Sequence, residues 1–171
     1  MNRWREESIS RRHDRVGFDC GVVELNDYLR RYARQNDRSG GAKTFVAVRG
    51  FAPAILGYYS ISPGAVDFAR VPSGLLRGLG RFDVPVFRLA RLAVALGEQG
   101  RGLGSALLIA AGVRAVTVAA EVGGVALAID AKDAHAAAWY ERLGATRLLD
   151  DPLKLIMPLA IIADAVRKEL T

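Results

Sequence analysis

The feature that most constrains this chain is a glycine-rich turn between an apolar strand and a long apolar helix. Val86–Leu96 is predicted to be a strand, and the apolar positions from Leu103 predict a helix that continues to about Val122. Glycines recur through Gly97–Gly104 between the two. Glycine tolerates close backbone approach, and unpaired N–H groups collect with the positive end of the helix dipole where a helix begins. The turn therefore predicts a site for a bulky anion such as a pyrophosphate.

The spacing within this turn excludes two common phosphate-binding motifs. A P-loop requires Gly-x-x-x-x-Gly-Lys-Ser/Thr, and no such string occurs in the sequence. The Rossmann fingerprint requires Gly or Ala three residues after its second glycine, where this chain has Ser105 or Leu107. A different phosphate-containing ligand is therefore indicated, with Arg101 as a charged donor within the turn.

The segments around the turn predict an α/β or α+β domain in which helices pack on a mixed sheet. The chain has 171 residues and no linker long enough to divide it, so one domain over residues 1–171 is expected. The other predicted elements are an amphipathic helix (Gly21–Gln35), a hairpin (Lys43–Arg49 and Ala54–Ser62), an irregular segment (Phe68–Pro85), a strand (Gly124–Asp130), a short helix from the N-cap Asp133 to Gly144, a strand (Leu153–Leu159) and a terminal helix over 160–170.

Composition excludes several other classes of protein. Half of the residues (51%) are hydrophobic, which is incompatible with intrinsic disorder, and the single Cys20 cannot form an internal disulfide. One cysteine and two histidines are too few for a structural zinc site, so no metal is expected. The start of the chain lacks the apolar region of a signal peptide, and the longest charge-free run, Gly50–Val66, is too polar to span a membrane. A cytoplasmic protein is expected.

The net charge of +6 is concentrated in the first hundred residues. Residues 1–50 carry eleven basic and seven acidic side chains, residues 51–100 carry five and three, and the remainder is balanced. This distribution indicates a surface that faces a polyanion, although an ordinary solvated surface would give the same pattern.

Two strings of residues resemble the signatures of the GNAT acetyltransferases. Arg91-Leu92-Ala93-Val94 followed by Gln99-Gly100-Arg101-Gly102-Leu103-Gly104 resembles their acetyl-coenzyme A motif, Gln/Arg-x-x-Gly-x-Gly/Ala. Asp133-x-x-Ala136-x-x-x-Tyr140-Glu141-x-x-Gly144-Ala145 resembles their second signature, in which Asn and Phe usually stand at the positions of Asp133 and Ala145. The resemblance implies the GNAT fold, a central mixed, mostly antiparallel sheet flanked by helices, with acetyl-CoA in the cleft after the fourth strand.

Further segments are similar to one GNAT subgroup, the acetyltransferase toxins of type II toxin–antitoxin pairs. They are Phe18-Asp19-Cys20-Gly21-x-x-x-Leu25-Asn26-x-Tyr28-Leu29, Gly57–Ser60, Pro85–Val94 and Leu155–Leu159. The resemblance implies an enzyme that acetylates the α-amino group of aminoacyl-tRNA and blocks translation. It also implies a small ribbon-helix-helix antitoxin, through which the complex binds operator DNA, and a homodimer.

The resemblance also assigns roles to individual residues. The coenzyme-binding residues would be Leu92, Ala93, Val94, Gln99, Gly100, Arg101, Gly102, Leu103, Gly104, Ser105 and Asp133. Tyr140 would be the catalytic acid, since a phenol with a pKa of roughly 10 stays protonated at neutral pH and can protonate a departing thiolate. The alternative for Tyr140 is a packing role beside Trp139.

No dedicated general base stands out, and an α-amine substrate hardly needs one. An α-amine has a pKa near 7.7–8.0, against about 10.4 for a lysine amine, so a fraction of it is already neutral. Glu98, Asp133 and His135 are the weak candidates for a base. The tRNA phosphates are expected to meet basic residues, about half of which should matter: Arg30, Arg34, Lys43, Arg77, Arg81, Arg88 and Arg91, with Arg31 and Arg38 alongside.

Two other functions remain open at this point. One is a GNAT acetyltransferase that acts on a small-molecule or protein amine, for which an acidic pocket and a carboxylate base would be expected. The other is a non-catalytic domain that binds coenzyme A for regulation. The arginine-rich stretch 70–91 favours the tRNA substrate over the first, and Tyr140 with the glycine turn favours an enzyme over the second.

Overall fold

The computed structural model describes residues 3–171, and in that range the chain forms seven strands and five α-helices. The strands are β1 (Arg5–Ser8), β2 (Lys43–Val48), β3 (Gly57–Val66), β4 (Val84–Val94), β5 (Ala126–Asp130), β6 (Thr146–Arg147) and β7 (Lys154–Pro158). The helices are α1 (Val23–Asp27), α2 (Ala33–Ser39), α3 (Leu103–Val122), α4 (Ala134–Arg142) and α5 (Leu159–Glu169). A π-helical segment, Tyr28–Tyr32, joins α1 to α2.

The strands form one mixed sheet in the order β1-β2-β3-β4-β5-β7-β6. The pairs β1–β2, β2–β3, β5–β7 and β6–β7 are antiparallel, whereas β4 and β5 are parallel. Because parallel neighbours need a long crossover, the chain between β4 and β5 contains the longest helix, α3. The predicted mixed, mostly antiparallel sheet with flanking helices is confirmed.

The residues group into two compact units, and the prediction of a single domain stays a prediction. The first unit comprises the chain up to Ser62 together with Arg91–Leu108. Its core gathers Phe18, Leu29 and Tyr58 with buried residues of β2. The phenol of Tyr58 donates a hydrogen bond of 2.6 Å to the carbonyl of Leu25, which satisfies the polar end of a completely buried ring.

The second unit comprises Pro63–Ala90 and Ile109–Thr171. Its core is built from valines, alanines and isoleucines of β4, β5 and β7, which suit a sheet covered on both faces. Three leucines of the irregular segment before β4, Leu75, Leu76 and Leu79, pack against this core. Apart from one 3₁₀ turn at Phe68–Arg70, the segment lacks regular structure, but its apolar side chains anchor it.

Most predicted elements are confirmed within a few residues, and the differences have local causes. The predicted helix 21–35 ends later, at Ser39, and contains the π-helical segment, and β3 continues through Pro63 to Val66. β1 and β6 were not predicted. β1 has the polar sequence REES and forms because it pairs with β2, while β6 has only two residues. Neither gives a periodic hydrophobic signal.

Helix α3 is long and apolar enough to cross a membrane by length and composition alone, with a mean hydropathy of 1.8. A helix inside a folded core passes the same test. Leu107 and Ala111 of α3 are completely buried, and the helix begins directly at the glycine turn. We therefore assign α3 as a core helix of this fold.

Two adjacent glycines before β5 provide a test of packing. Gly123 and Gly124 both have positive φ, of 88° and 121°, but only Gly124 lies against a side chain: a Cβ there would come within 2.8 Å of the Phe87 ring atom Cζ. We expect Gly123→Ala to lower the free energy of unfolding by about 1 kcal/mol through backbone strain. Gly124→Ala should cost about 1–3 kcal/mol more, because Phe87 must move. Urea unfolding of both variants checks this, and equal losses would contradict the packing argument.

Candidate active site

The glycine turn presents a row of unpaired amides at the start of α3. After β4, a single 3₁₀ turn (Leu96–Glu98) leads into Gly100 and Gly102, whose φ values are 78° and 86°. The first backbone bond of the helix runs from the Ala106 amide to the Gly102 carbonyl. Within the described chain, the amides of residues 100–105 donate no backbone hydrogen bond. They are therefore available to an anion at the helix N-terminus, as the sequence predicts.

Gln99 holds this turn in place. Its side-chain amide donates to the carbonyls of Cys20 (3.0 Å) and Val94 (2.9 Å) and so joins the turn to the end of β4. The Leu96 amide donates to the Asp19 carbonyl over 2.9 Å, which adds a second connection. The side chain of Gln99, predicted to bind the coenzyme, thus has a positioning role in this structure.

Hydrogen bonds within the loop that contacts the turn account for the polar residues of the string Phe18–Asn26. The Asp19 carboxylate accepts from the Gly21 amide (2.8 Å) and the Asn26 side chain (3.0 Å), and these hydrogen bonds lower the pKa of Asp19. The Asn26 side chain in turn accepts from the Cys20 amide. Gly21 has a φ of 84° and lies against Leu96, so the loop closes tightly onto the turn.

The end of β4 lies close to the start of β3. The Ala95 amide donates to the Leu56 carbonyl (2.9 Å), and a Cβ on Gly57 would lie 2.8 Å from the Ala93 carbonyl oxygen. Ala93 is buried, while Leu92 and Val94 are partly exposed. The main-chain role of these three residues toward the thioester stays a prediction.

A cavity of about 230 Å³ adjoins the turn in the first unit. Its walls include Gly102 and Leu103 together with Arg49, Arg101 and Trp4. Arg49 pairs with Glu98 over 3.3 Å, whereas Arg101 is exposed and makes no ion pair within residues 3–171. Arg101 therefore adds an uncompensated positive charge beside the free amides, which suits the binding of a pyrophosphate.

In the second unit, α4 presents Tyr140. The Asp133 carboxylate accepts a hydrogen bond from the Ala136 amide (2.8 Å) and so caps the N-terminus of α4. Its predicted contact with the coenzyme stays a prediction.

Tyr140 is 6% exposed, and its ring lies edge-on to Trp139 at 4.9 Å. Its hydroxyl makes no hydrogen bond within the described residues. The phenol is thus largely enclosed by the protein, and its proton is not held by a neighbouring acceptor.

The electrostatic setting of Tyr140 favours the protonated phenol. Burial raises the pKa of Tyr140 above its ordinary value of 10.0, and the nearby Asp130 carboxylate raises this pKa further. Asp130 is itself held by Arg88 (2.9 Å) and Lys154 (2.8 Å). The sequence did not predict this cluster, because its three members are separated by 24 residues or more and no local motif joins them.

The predicted tRNA-binding residues fall into two groups. Four have partners: Arg30 pairs with Asp27 (4.0 Å), Lys43 with Asp37 (3.8 Å) and Arg88 with Asp130, and the Arg91 guanidinium lies 3.6 Å from the centre of the Tyr28 ring. Arg34, Arg77 and Arg81 make no ion pair within residues 3–171, and neither do Arg31 and Arg38. The second group is therefore better suited to bind phosphates.

Arg34 belongs to a cluster of like charges that sequence reasoning missed in part. Partial burial lowers the pKa of Arg34, and so does the field of Arg15, Arg11 and Arg38. Arg11 and Arg15 precede Arg34 by 23 and 19 residues, so only the fold brings them close to it. Such a cluster persists only in contact with water or an anion, and it indicates a polyanion-binding surface in the first unit.

The family of the chain follows from its match to known proteins. The model of the acetyltransferase (GNAT) family matches residues 10–145. The chain belongs to the GNAT acetyltransferase family. It is 38% identical over 149 residues to a tRNA-acetylating toxin of Mycobacterium tuberculosis, a match that covers 87% of this chain and 88% of that relative.

Solved structures of GNAT proteins share the fold over nearly the whole chain. A tyrosine-to-phenylalanine mutant of KacT superposes with a TM-score of 0.89 at 27% identity, covering 95% of this chain and 98% of that one. AtaTR bound with AcCoA gives 0.84 at 25%, covering 97% and 99%. The KacTA–DNA complex gives 0.81 at 29%, also covering 97% and 99%. The predicted GNAT fold is confirmed.

The positive φ of Gly102 makes the glycine turn testable by calorimetry. A Cβ on Gly102 would meet no other atom, so Gly102→Ala changes backbone strain rather than packing. We expect it to weaken acetyl-CoA binding by about tenfold, since strain of 1–2 kcal/mol displaces the free amides. Gly97→Ala is the matched control, because Gly97 also has open space around it but no positive φ. Equal affinities of the two variants would contradict the role of the turn.

The raised pKa values of Tyr58 and Tyr140 predict a loss of stability in alkali. Burial raises both above 10.0, so the folded chain keeps both protons while the unfolded chain releases them near pH 10. Stability is thus fully present below pH 10 and falls above it, by at most about 1.4 kcal/mol per pH unit for each group. Urea unfolding at about pH 9 to pH 11 checks this. Tyr140→Phe should reduce the slope, and parallel curves for the two proteins would contradict it.

Proposed function

We propose that this chain is the toxin of a type II toxin–antitoxin pair, and that it transfers the acetyl group of acetyl-CoA to the α-amino group of aminoacyl-tRNA. The 38% identity to a tRNA-acetylating toxin over most of both chains carries this proposal. The unpaired arginines of both units support it, because a tRNA substrate requires cations that are free to bind phosphate.

The first step is coenzyme binding by the first unit. The free amides of residues 100–105 and the Arg101 guanidinium would bind the pyrophosphate, and the end of β4 would hold the pantetheine arm through its main chain. The turn fits this ligand because its glycines add no side chain where the anion must approach. Acetyl-CoA supplies an acetyl group already activated as a thioester.

Tyr140 is the proposed acid of the reaction. A group that protonates a leaving thiolate must carry its proton at neutral pH, and burial together with Asp130 keeps the Tyr140 phenol protonated. Its hydroxyl has no hydrogen-bond partner that would compete for this proton within the described residues. The substrate α-amine needs little help to lose its own proton, since its pKa is near 7.7–8.0.

The remaining partners follow from the same proposal. A structure of the relative KacTA is a complex with DNA, and AtaTR is also described with AcCoA. We propose a small ribbon-helix-helix antitoxin that inhibits this chain and links it to operator DNA, a homodimeric toxin, and a cytoplasmic location where charged tRNA is found.

The decisive experiment is incubation of the protein with labelled acetyl-CoA and a pool of aminoacylated tRNAs. We expect the label on the α-amine of the aminoacyl group. Label that appears only on proteins or polyamines would instead support acetylation of a protein or small-molecule amine. Binding of acetyl-CoA without any transfer would support the regulatory domain.

Tyr140→Phe tests the proposed acid in the same assay. The variant keeps the ring that packs against Trp139 and removes only the hydroxyl, so we expect acetyl-CoA affinity within about twofold of the original and a rate at least about 100-fold lower. Tyr32→Phe is the matched control, because Tyr32 is exposed. Full activity of Tyr140→Phe would exclude the acid role.

A further inference from the structure

Phe82 is an aromatic side chain that the fold leaves without a packing role. It lies in the irregular segment before β4 and exposes 83% of its surface. The leucines of the same segment, Leu75, Leu76 and Leu79, pack inward on the core of the second unit. The other large apolar residues of the segment thus stabilise the fold, whereas Phe82 faces solvent.

Phe51 provides an informative comparison. It is 87% exposed, but the guanidinium of Arg5 lies over its ring at 4.9 Å. Among the residues that the structure describes, no ring or cation lies over Phe82. A Cβ on Gly80 would come within 3.1 Å of the Phe82 ring, so this ring lies beside the bare backbone of Gly80. One edge of the ring is thereby positioned while its surface remains free.

The charges around Phe82 are strongly one-sided. Five arginines and only one acidic residue, Asp83, occur between Arg70 and Arg91. Arg70 and Arg88 are paired with Asp150 and Asp130, over 2.9 Å in each case. Arg77 and Arg81 are exposed, and neither makes an ion pair within residues 3–171. The free aromatic ring is therefore accompanied by two free cations.

We propose that Phe82 stacks on an unpaired base at the acceptor end of the tRNA, while Arg77 and Arg81 bind the flanking phosphates. This inference rests on the proposed function, since that substrate ends in a short single strand. Single-stranded nucleic acid is bound in this way, by an exposed aromatic surface among cations. Stacking fixes the position of the strand and leaves the reactive amine free.

The same surface is poorly suited to a protein partner. Docking sites for proteins combine an aromatic residue with neighbouring apolar side chains that exclude water. Here the neighbouring leucines pack on the core, and the exposed positions beside Phe82 hold Gly80, Arg81 and Asp83, none of which is apolar and bulky. An isolated aromatic ring among cations matches the chemistry of a base and its phosphates.

Steady-state acetylation of aminoacyl-tRNA tests the role of the ring. We expect Phe82→Ala to raise KM by about 5- to 150-fold, which corresponds to the loss of one stacked base, with kcat within about twofold. Phe82→Tyr, which retains an aromatic surface, should restore the original KM, whereas Phe82→Leu should not. Phe51→Ala is the matched control and should leave KM unchanged, because Phe51 is similarly exposed but lies outside the arginine-rich stretch 70–91 and has the Arg5 guanidinium over its ring.

A binding experiment with uncharged tRNA tests the inference independently of catalysis. Removal of the four unpaired 3′ nucleotides should weaken binding to the original protein, but it should not weaken binding to Phe82→Ala further, since the two changes remove the same contact. Arg77→Gln combined with Arg81→Gln should make the affinity less dependent on salt.

The outcomes separate this inference from the proposed function. If the original protein does not acetylate aminoacyl-tRNA, the proposed function fails. The stacking role alone fails if the original protein acetylates aminoacyl-tRNA but Phe82→Ala has the same KM as Phe51→Ala. In that case the losses of binding free energy caused by 3′ truncation and by Phe82→Ala would also simply add. Loss of antitoxin binding by Phe82→Ala at unchanged KM would also overturn it, in favour of a protein-docking surface. Equal thermal midpoints of the variants would show that folding is not the cause.

Discussion

The glycine turn of this protein depends on amide groups that the fold leaves without partners. Buried or half-buried backbone groups are normally paired, so a row of free N–H groups must be held open by the surrounding structure. Gln99 does this with two carbonyls, Cys20 and Val94, and the Asp19 loop adds a third connection. The glycine turn is therefore not a flexible segment but an organised one, ready for an anion before it arrives.

The setting of Tyr140 in the second unit depends on the opposite effect, the removal of a group from water. Tyr140 is enclosed by its neighbours, and the negative charge of Asp130 acts on it. Both effects raise the pKa of Tyr140 and so favour the neutral phenol. Asp130 itself forms ion pairs with Arg88 and Lys154, which hold the carboxylate in place. Arg88, predicted to bind tRNA, is thus already engaged by a structural partner.

Local patterns in the sequence predicted the parts of the fold whose cause is local. The glycine turn, helix α3, the Asp133 cap of α4 and the end of that helix at Gly144 each follow from adjacent residues. β1 and the cluster Arg88–Asp130–Lys154 depend on residues far apart in the chain, so no pattern indicated them. The arginines illustrate the limit most clearly: their number was evident, but which ones were already paired was decided by the fold.

The two tryptophans of the chain are placed so that each half carries its own natural fluorophore. Trp4 lines the cavity beside the glycine turn, and Trp139 lies against Tyr140. The fluorescence of indole depends on the polarity of its surroundings and on nearby quenching groups. Binding of a ligand in either region can therefore be followed by intrinsic tryptophan fluorescence, without a label. Replacing one tryptophan at a time would give two single-reporter proteins, one for the surroundings of the glycine turn and one for the surroundings of Tyr140.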